Sequence, residues 1–347
     1  MALTLLKSVH RSPNNLRKTR VRTVLLTSIL GAMISAQWCC AADSMDTWTL
    51  RSSSLPATTW LYGITYGNGQ FVAVGGPAQI GGGAGVIITS PDGSIWFPQT
   101  IPNDTRTLLD VAFGDGLYVA VGNSRPLASP DGESWTASLS GTSFSTVTYG
   151  NGMFVAAGGY IYISTNGSIW KLSSSAGFET YLTSAAYGNG QFVAAASGMY
   201  PGLSTFYFST NGVVWKPRFS GAGVKPFAVS YGNGLFVAVG AGGLILTSSD
   251  GVSWTQRNSG TSSNLLGVAY VNTVFVAVGS GGTLLTSSDS ANWTLRASGT
   301  TNDLTAVAYG NGHFVAVGAN GTILVQCPLN PFKNTRRESI NLSRNKA

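Results

Sequence analysis

The sequence predicts an all-β fold: a seven-bladed β-propeller of four-stranded antiparallel blades, closed by the N-terminal strand as outer strand of the last blade. Three observations carry this. A Tyr-Gly-Asn-Gly motif recurs at Tyr66, Phe113, Tyr149, Tyr187, Tyr231, Tyr270 and Tyr309, spaced by 47, 36, 38, 44, 39 and 39 residues. A tryptophan recurs in step with it, at Trp48, Trp96, Trp135, Trp170, Trp215, Trp254 and Trp293. The last unit, Leu304–Cys327, stops one strand short, and the missing strand, Trp48-Thr49-Leu50-Arg51, stands at the head of the domain. A single sheet of about 40 residues cannot bury both faces, whereas radial stacking of copies buries them.

Within one unit the strands follow in order. In the sixth, Leu265–Tyr270, Val274–Gly279, Gly282–Ser287 and Asn292–Arg296 alternate with turn residues, and no 3.6-residue apolar period interrupts 46–327. Most copies place Asn-Gly at the first hairpin tip and Asp-Gly or Asn-Gly at the second. Type I′ turns, with positive φ at both central residues, are expected for both hairpins. Just before each motif aromatic stand the small residues Thr65, Ala112, Thr148, Ala186, Ser230, Ala269 and Ala308. One position earlier come Ile64, Val111, Val147, Ala185, Val229, Val268 and Val307. Small and β-branched side chains fit innermost strands crowding an axis. Strand Trp48–Arg51 is expected to pair beside the third strand of the last blade, covering a free sheet edge.

Composition narrows the classes. Of 347 residues only 10% are charged, against about 25% in average soluble chains. A 44% hydrophobic fraction with nine Trp and 15 Phe argues against disorder. The net charge of +7 sits at the ends: residues 1–42 hold six basic and no acidic residues, and 328–347 hold five basic residues against Glu338. The remainder has nine basic and twelve acidic residues with no basic cluster, which excludes nucleic acid as a partner. Basic residues up to Arg22, an apolar stretch Val24–Ala36 and small residues at 40–42 read as an export signal, cleaved before Asp43 or kept as an anchor. The protein is thus expected outside the cytoplasm, periplasmic or extracellular, with no stable membrane span after cleavage. Cleavage would leave Cys327 as the one thiol, so packing alone must hold a monomeric domain at 46–327. Residues 328–347 read as a disordered basic tail.

The second hairpins carry the most specific pattern. They read Ser90-Pro91-Asp92-Gly93-Ser94-Ile95-Trp96, Ser129-Pro130-Asp131-Gly132-Glu133-Ser134-Trp135, Ser164-Thr165-Asn166-Gly167-Ser168-Ile169-Trp170, Ser209-Thr210-Asn211-Gly212-Val213-Val214-Trp215, Ser248-Ser249-Asp250-Gly251-Val252-Ser253-Trp254 and Ser287-Ser288-Asp289-Ser290-Ala291-Asn292-Trp293. This resembles the Asp-box repeat of sialidase-like and photosystem-assembly-factor-like propellers, shortened by one residue between Asp and Gly. The resemblance implies the fold over nearly all of 46–327. It also implies that the boxes serve turns on the face opposite any active site. Sialidase-like enzymes have six blades, an arginine triad and a Tyr–Glu pair, none of which matches residue by residue here.

The turn Asp and Asn are accordingly read as caps, and the repeated Trp as filler within and between blades. Function is expected at the channel mouth, where irregular loops meet. Two connections there are expanded, Gly75–Gly85 and Ala196–Ser204, the latter with Tyr200. Incoming loops supply Trp60, Asp104, Arg106, Glu179, Tyr181, Lys225, Asn264 and Asp303. Asp110 stands out, because its counterparts Gly63, Thr146, Ser184, Ala228, Gly267 and Ala306 are all non-ionisable. His10 lies in the leader and His313 starts a second strand, so neither supports a triad or zinc site.

Three functions remain in play. The first is a binding or scaffold module, with Trp60, Arg106, Tyr181, Tyr200, Lys225 and Asn264 contacting a small molecule, glycan or peptide. The second is an exported, Ca-dependent hydrolase of lactonase or phosphotriesterase type acting on esters or lactones, in which Asp110, Asp104, Glu179 and Asp303 act as catalytic carboxylates and Asp110 and Asp303 hold Ca²⁺. The third is a glycosidase with paired carboxylates. No catalytic constellation is visible in the sequence, which favours binding.

Overall fold

The computed structural model describes residues 47–326, apart from 79–82, 140, 174–179, 199–204, 220–223 and 272. The export signal, the basic tail, Cys327, Glu179 and Tyr200 therefore lie outside the described residues. Seven four-stranded antiparallel sheets are present, each a meander. Their innermost strands are Thr59–Gly67, Leu108–Gly114, Thr146–Gly150, Thr180–Gly188, Pro226–Gly232, Leu265–Val271 and Leu304–Gly310, and these pack side by side around the axis. Strand Trp48–Arg51 pairs antiparallel with Ile323–Gln326, Trp48 opposite Gln326 and Arg51 opposite Ile323. The seventh sheet is completed from the other end of the chain, as expected.

The first hairpins are type I′. Asn68 and Gly69 have φ of 42° and 81°, Asn233 and Gly234 49° and 75°, and Asn311 and Gly312 47° and 84°. In the degenerate sixth copy Thr273 takes φ 70°, a conformation strained for a β-branched residue. The second hairpins differ from expectation. Gly93, Gly132, Gly167, Gly212 and Gly251 have positive φ, but the Asp or Asn before each does not. Its side chain makes the turn instead. Asp250 Oδ1 accepts the N–H groups of Val252 and Ser253 at 2.9 and 2.8 Å, so one carboxylate replaces a second left-handed residue. Trp96, Trp135, Trp170 and Trp215 then donate Nε1–H to the turn carbonyls of Gly93, Gly132, Gly167 and Gly212.

The core lies between blades rather than along the axis. Trp96, Phe71 and Ile88 of the first blade pack with Val315, Ile323 and Val325 of the last, and similar clusters fill the other junctions. The motif glycine explains how the inner strands come so close. A Cβ on Gly67, Gly114, Gly150, Gly188, Gly232 or Gly310 would fall within the aromatic ring of the following blade's motif. Each glycine is therefore a seat for the next blade's Phe113, Tyr149, Tyr187, Tyr231, Tyr270 or Tyr66. Among the described residues no helix is long and apolar enough to cross a membrane.

Candidate functional site

The mouth is the end where the inner strands begin, and a β-bulge shapes it. Register shifts stand between Leu61 and Gly63, Leu108 and Asp110, Leu182 and Ser184, Pro226 and Ala228, Leu265 and Gly267, and Leu304 and Ala306. A bulge inserts one unpaired residue and re-aims it. Tyr62, Leu109, Thr183, Phe227, Leu266 and Thr305 are those residues, and Ser145 fills the corresponding place in the third blade. Together with one or both of the next two positions in each blade they border an axial cavity of about 220 Å³. In four blades three consecutive residues reach the wall, at 183–185, 227–229, 266–268 and 305–307; strict alternation could not do this, which is why Thr183 and Thr305 escape a strand-pattern reading. Their common place four residues before each motif aromatic was the available signal.

Asp110 lines this cavity. Its Oδ1 accepts the Val111 N–H at 2.8 Å, and Oδ2 accepts Thr146 Oγ1–H at 2.8 Å and Val147 N–H at 2.9 Å. Burial pushes its pKa up to about 6, against the downward pull of those three hydrogen bonds. The bonds to Thr146 and Val147 also clasp the second blade to the third. Ser184 does the same two junctions further on, accepting the Val229 N–H at 3.1 Å. Gly63 must be small for a related reason: a Cβ there would stand 2.9 Å from the Asp110 Cα.

Asn264 and Asp303 occupy equivalent places and share one job. Asn264 Oδ1 accepts the Gly242 N–H at 3.0 Å, and Asp303 Oδ1 accepts the Gly281 N–H at 2.8 Å. Gly242 and Gly281 have φ of 62° and 63° within the 3₁₀ turns Ala241–Gly243 and Ser280–Gly282, so each side chain ties down the preceding blade's turn. Asp104 is exposed and pairs with Arg125 at 2.6 Å; that hydrogen bond and charge hold its carboxyl below the usual range. Arg106 is exposed, its backbone bridging to Ala84 and donating N–H to Ser124 Oγ. Lys225 is exposed too. Trp60 and Tyr181 lie within inner strands rather than in loops; Trp60 stacks on Tyr62 with centroids 6.0 Å apart, and Tyr181 is 58% exposed. Burial raises the Tyr62 hydroxyl pKa.

The mouth thus combines an acceptor-rich channel with a rim of aromatic and cationic side chains. His313 is remote from the channel wall and contacts the Gln326 carbonyl at 3.3 Å. Among the described residues no three His, Cys, Asp or Glu side chains gather to hold a metal. Among the described residues Asp110 is the one carboxylate on the cavity wall, so a Ca²⁺ there would rely on hydroxyls and carbonyls.

No known family profile matches the sequence, and no curated protein matches it. Solved structures do. YCF48 bound to a D1 peptide superposes with a TM-score of 0.64 at 18% identity, over 80% of this chain and 96% of that one. Streptogramin B lyase gives 0.68 at 12% identity, over 83% and 100%. A catalytically inactive virginiamycin B lyase from Staphylococcus aureus with quinupristin gives 0.68 at 11%, over 80% and 99%. What these proteins share with the chain is the propeller. At such identities the likeness extends to the fold alone, and the neighbours include both a peptide complex and lyases.

Proposed function

We propose that the protein is an exported binding propeller that presents its channel mouth to an extended peptide segment of a partner. One feature of the mouth carries the reading: every described acidic side chain nominated there is already engaged. Asp104 is held by Arg125, Asp110 by Val111, Thr146 and Val147, and Asp303 by Gly281. Hydrolysis asks for a carboxyl or nucleophile–base pair aimed at substrate, whereas these groups are aimed at the scaffold. The rim supports recognition instead, since Trp60, Tyr62 and Tyr181 offer rigid apolar area and Arg106 and Lys225 are exposed cations. The peptide complex of YCF48 lends support to a peptide over a glycan. Kinship with Asp-box propellers is supported by the capped turns, and export by the leader pattern in residues 1–42.

A peptide array probed with the full chain tests this. Binding should fall at least tenfold in Trp60→Ala and Tyr181→Ala at unchanged melting temperature. Turnover of any ester, lactone or glycoside, lost in Asp110→Asn, would replace the reading with a hydrolase.

A further inference from the structure

We infer that the axial cavity is a cation subsite that receives one Lys or Arg side chain of the bound segment, with Asp110 as its counter-ion. The inference rests on the peptide reading and names the chemistry of its central contact.

The cavity wall has a sign. Among the described residues its lining includes no Lys, Arg or His, and the ionisable groups there are Asp110 and Tyr62. Three of the wall hydroxyls direct their protons at backbone carbonyls. Ser145 Oγ donates to the carbonyls of Ala157, at 2.9 Å, and Leu182. Thr183 Oγ1 donates to those of Ala195 and Pro226, at 3.2 and 3.4 Å. Thr305 Oγ1 donates to those of Val317, at 3.1 Å, and Leu61. Each of these three hydroxyls has a single proton to give, so what they leave for an occupant is oxygen lone pairs; Ser184, also on the wall, accepts the Val229 N–H. Asp110 adds to the same field. A carboxylate has about four acceptor sites, and three donors reach this one. Among the described residues the salt bridge present is Arg125–Asp104, which leaves Asp110 without a cation. Its three partners are neutral donors that orient the carboxylate but do not cancel its charge; enclosing that charge is costly, and an inserted cation relieves the cost.

Size and donor set choose the kind of cation. About 220 Å³ is below the roughly 300–1,000 Å³ of drug-sized pockets and suits one long side chain. Calcium takes about six to eight oxygens, commonly from several carboxylates; here one carboxylate faces a ring of separated hydroxyls. Directional N–H donors of an ammonium or guanidinium match that arrangement better than a bare ion does.

The experiment titrates the full chain into fluorescein-labelled, acetylated and amidated heptapeptides that differ in a central Lys, Arg, norleucine or Glu. The Lys and Arg peptides should bind at least tenfold tighter than norleucine at pH 7.5. That preference should fall below twofold in Asp110→Ser, which keeps a hydroxyl acceptor as Ser184 does. Equal binding of Lys and norleucine peptides, lost in Tyr181→Ala, overturns the subsite and leaves the mouth reading standing. Absence of all peptide binding overturns both. Calcium abolishing the preference where matched sodium chloride does not would make this an inorganic cation site and overturn the proposal. Should Asp110→Ser fail to fold, the wild-type Lys-to-norleucine ratio is compared at pH 7.5 and 4.5. Tyr62 of the first blade stays neutral over that range, and Thr146 and Val147 of the third do not titrate, so a ratio that collapses at pH 4.5 supports Asp110. A constant ratio overturns it.

Discussion

Gly310 of the last blade and Tyr66 of the first meet across the seam of the ring, and a Cβ on Gly310 would lie within the tyrosine ring. The contact joins residues far apart in the chain and repeats the seat found at five other junctions. In the remaining junction Val271 replaces glycine and packs, partly buried, in the same cluster as Tyr309. Gly310→Ala should therefore destabilise by about 1–3 kcal/mol, the usual cost of overpacking. In a Tyr66→Ala background the same change should cost almost nothing. Urea denaturation of the four proteins gives the coupling, and a cost that persists without Tyr66 would show that backbone conformation, not the ring, is responsible.

Closure makes a second prediction. Deleting residues 1–52 removes the strand opposite Ile323–Gln326 and bares a sheet edge whose residues are now buried. Light scattering should show association, and the melting temperature should drop relative to a chain lacking residues 1–45. A synthetic peptide spanning 46–54 should restore it. Unchanged melting would mean that the ring closes without this strand.

The pH dependence of stability has two opposed parts. Asp110 has its pKa raised from 3.8 to about 6 in the folded state. The folded protein thus holds that proton more tightly, and this stabilisation is complete below 3.8 and lost as pH rises through about 6. Its size is about 3 kcal/mol at most. Denaturation midpoints of the wild type should decline between pH 4 and 7, and Asp110→Asn should flatten the decline. The hairpin carboxylates act oppositely. Ser134 and Glu133 N–H groups pull Asp131 down to about 2, and those of Ser253 and Val252 do the same for Asp250. Their contribution is present above 3.8 and lost as pH falls through about 2.

Asp250→Ala leaves the Val252 and Ser253 N–H groups to water. A loss of about 1 kcal/mol is expected, with peptide affinity unchanged and no response of the melting temperature to chelators. A chelator effect in the wild type that vanishes in this variant would identify the turn as a metal site.

What the chain announces by itself is everything local and periodic. Seven motifs, seven tryptophans and a strand moved to the other terminus determine blade number and closure, because a two-residue turn and a recurring spacing are legible along one strand of text. Asp110 could be singled out as the odd residue of its column for the same reason. The tertiary structure decided what that residue does. Its partners Thr146 and Val147 belong to the next blade, as Gly242 and Gly281 belong to blades before Asn264 and Asp303. Contacts made across a junction leave no mark on spacing within a unit. The channel wall was hidden too, since one inserted residue per strand shifts which side chains face the axis, and no alternation pattern registers a bulge until the strands are paired.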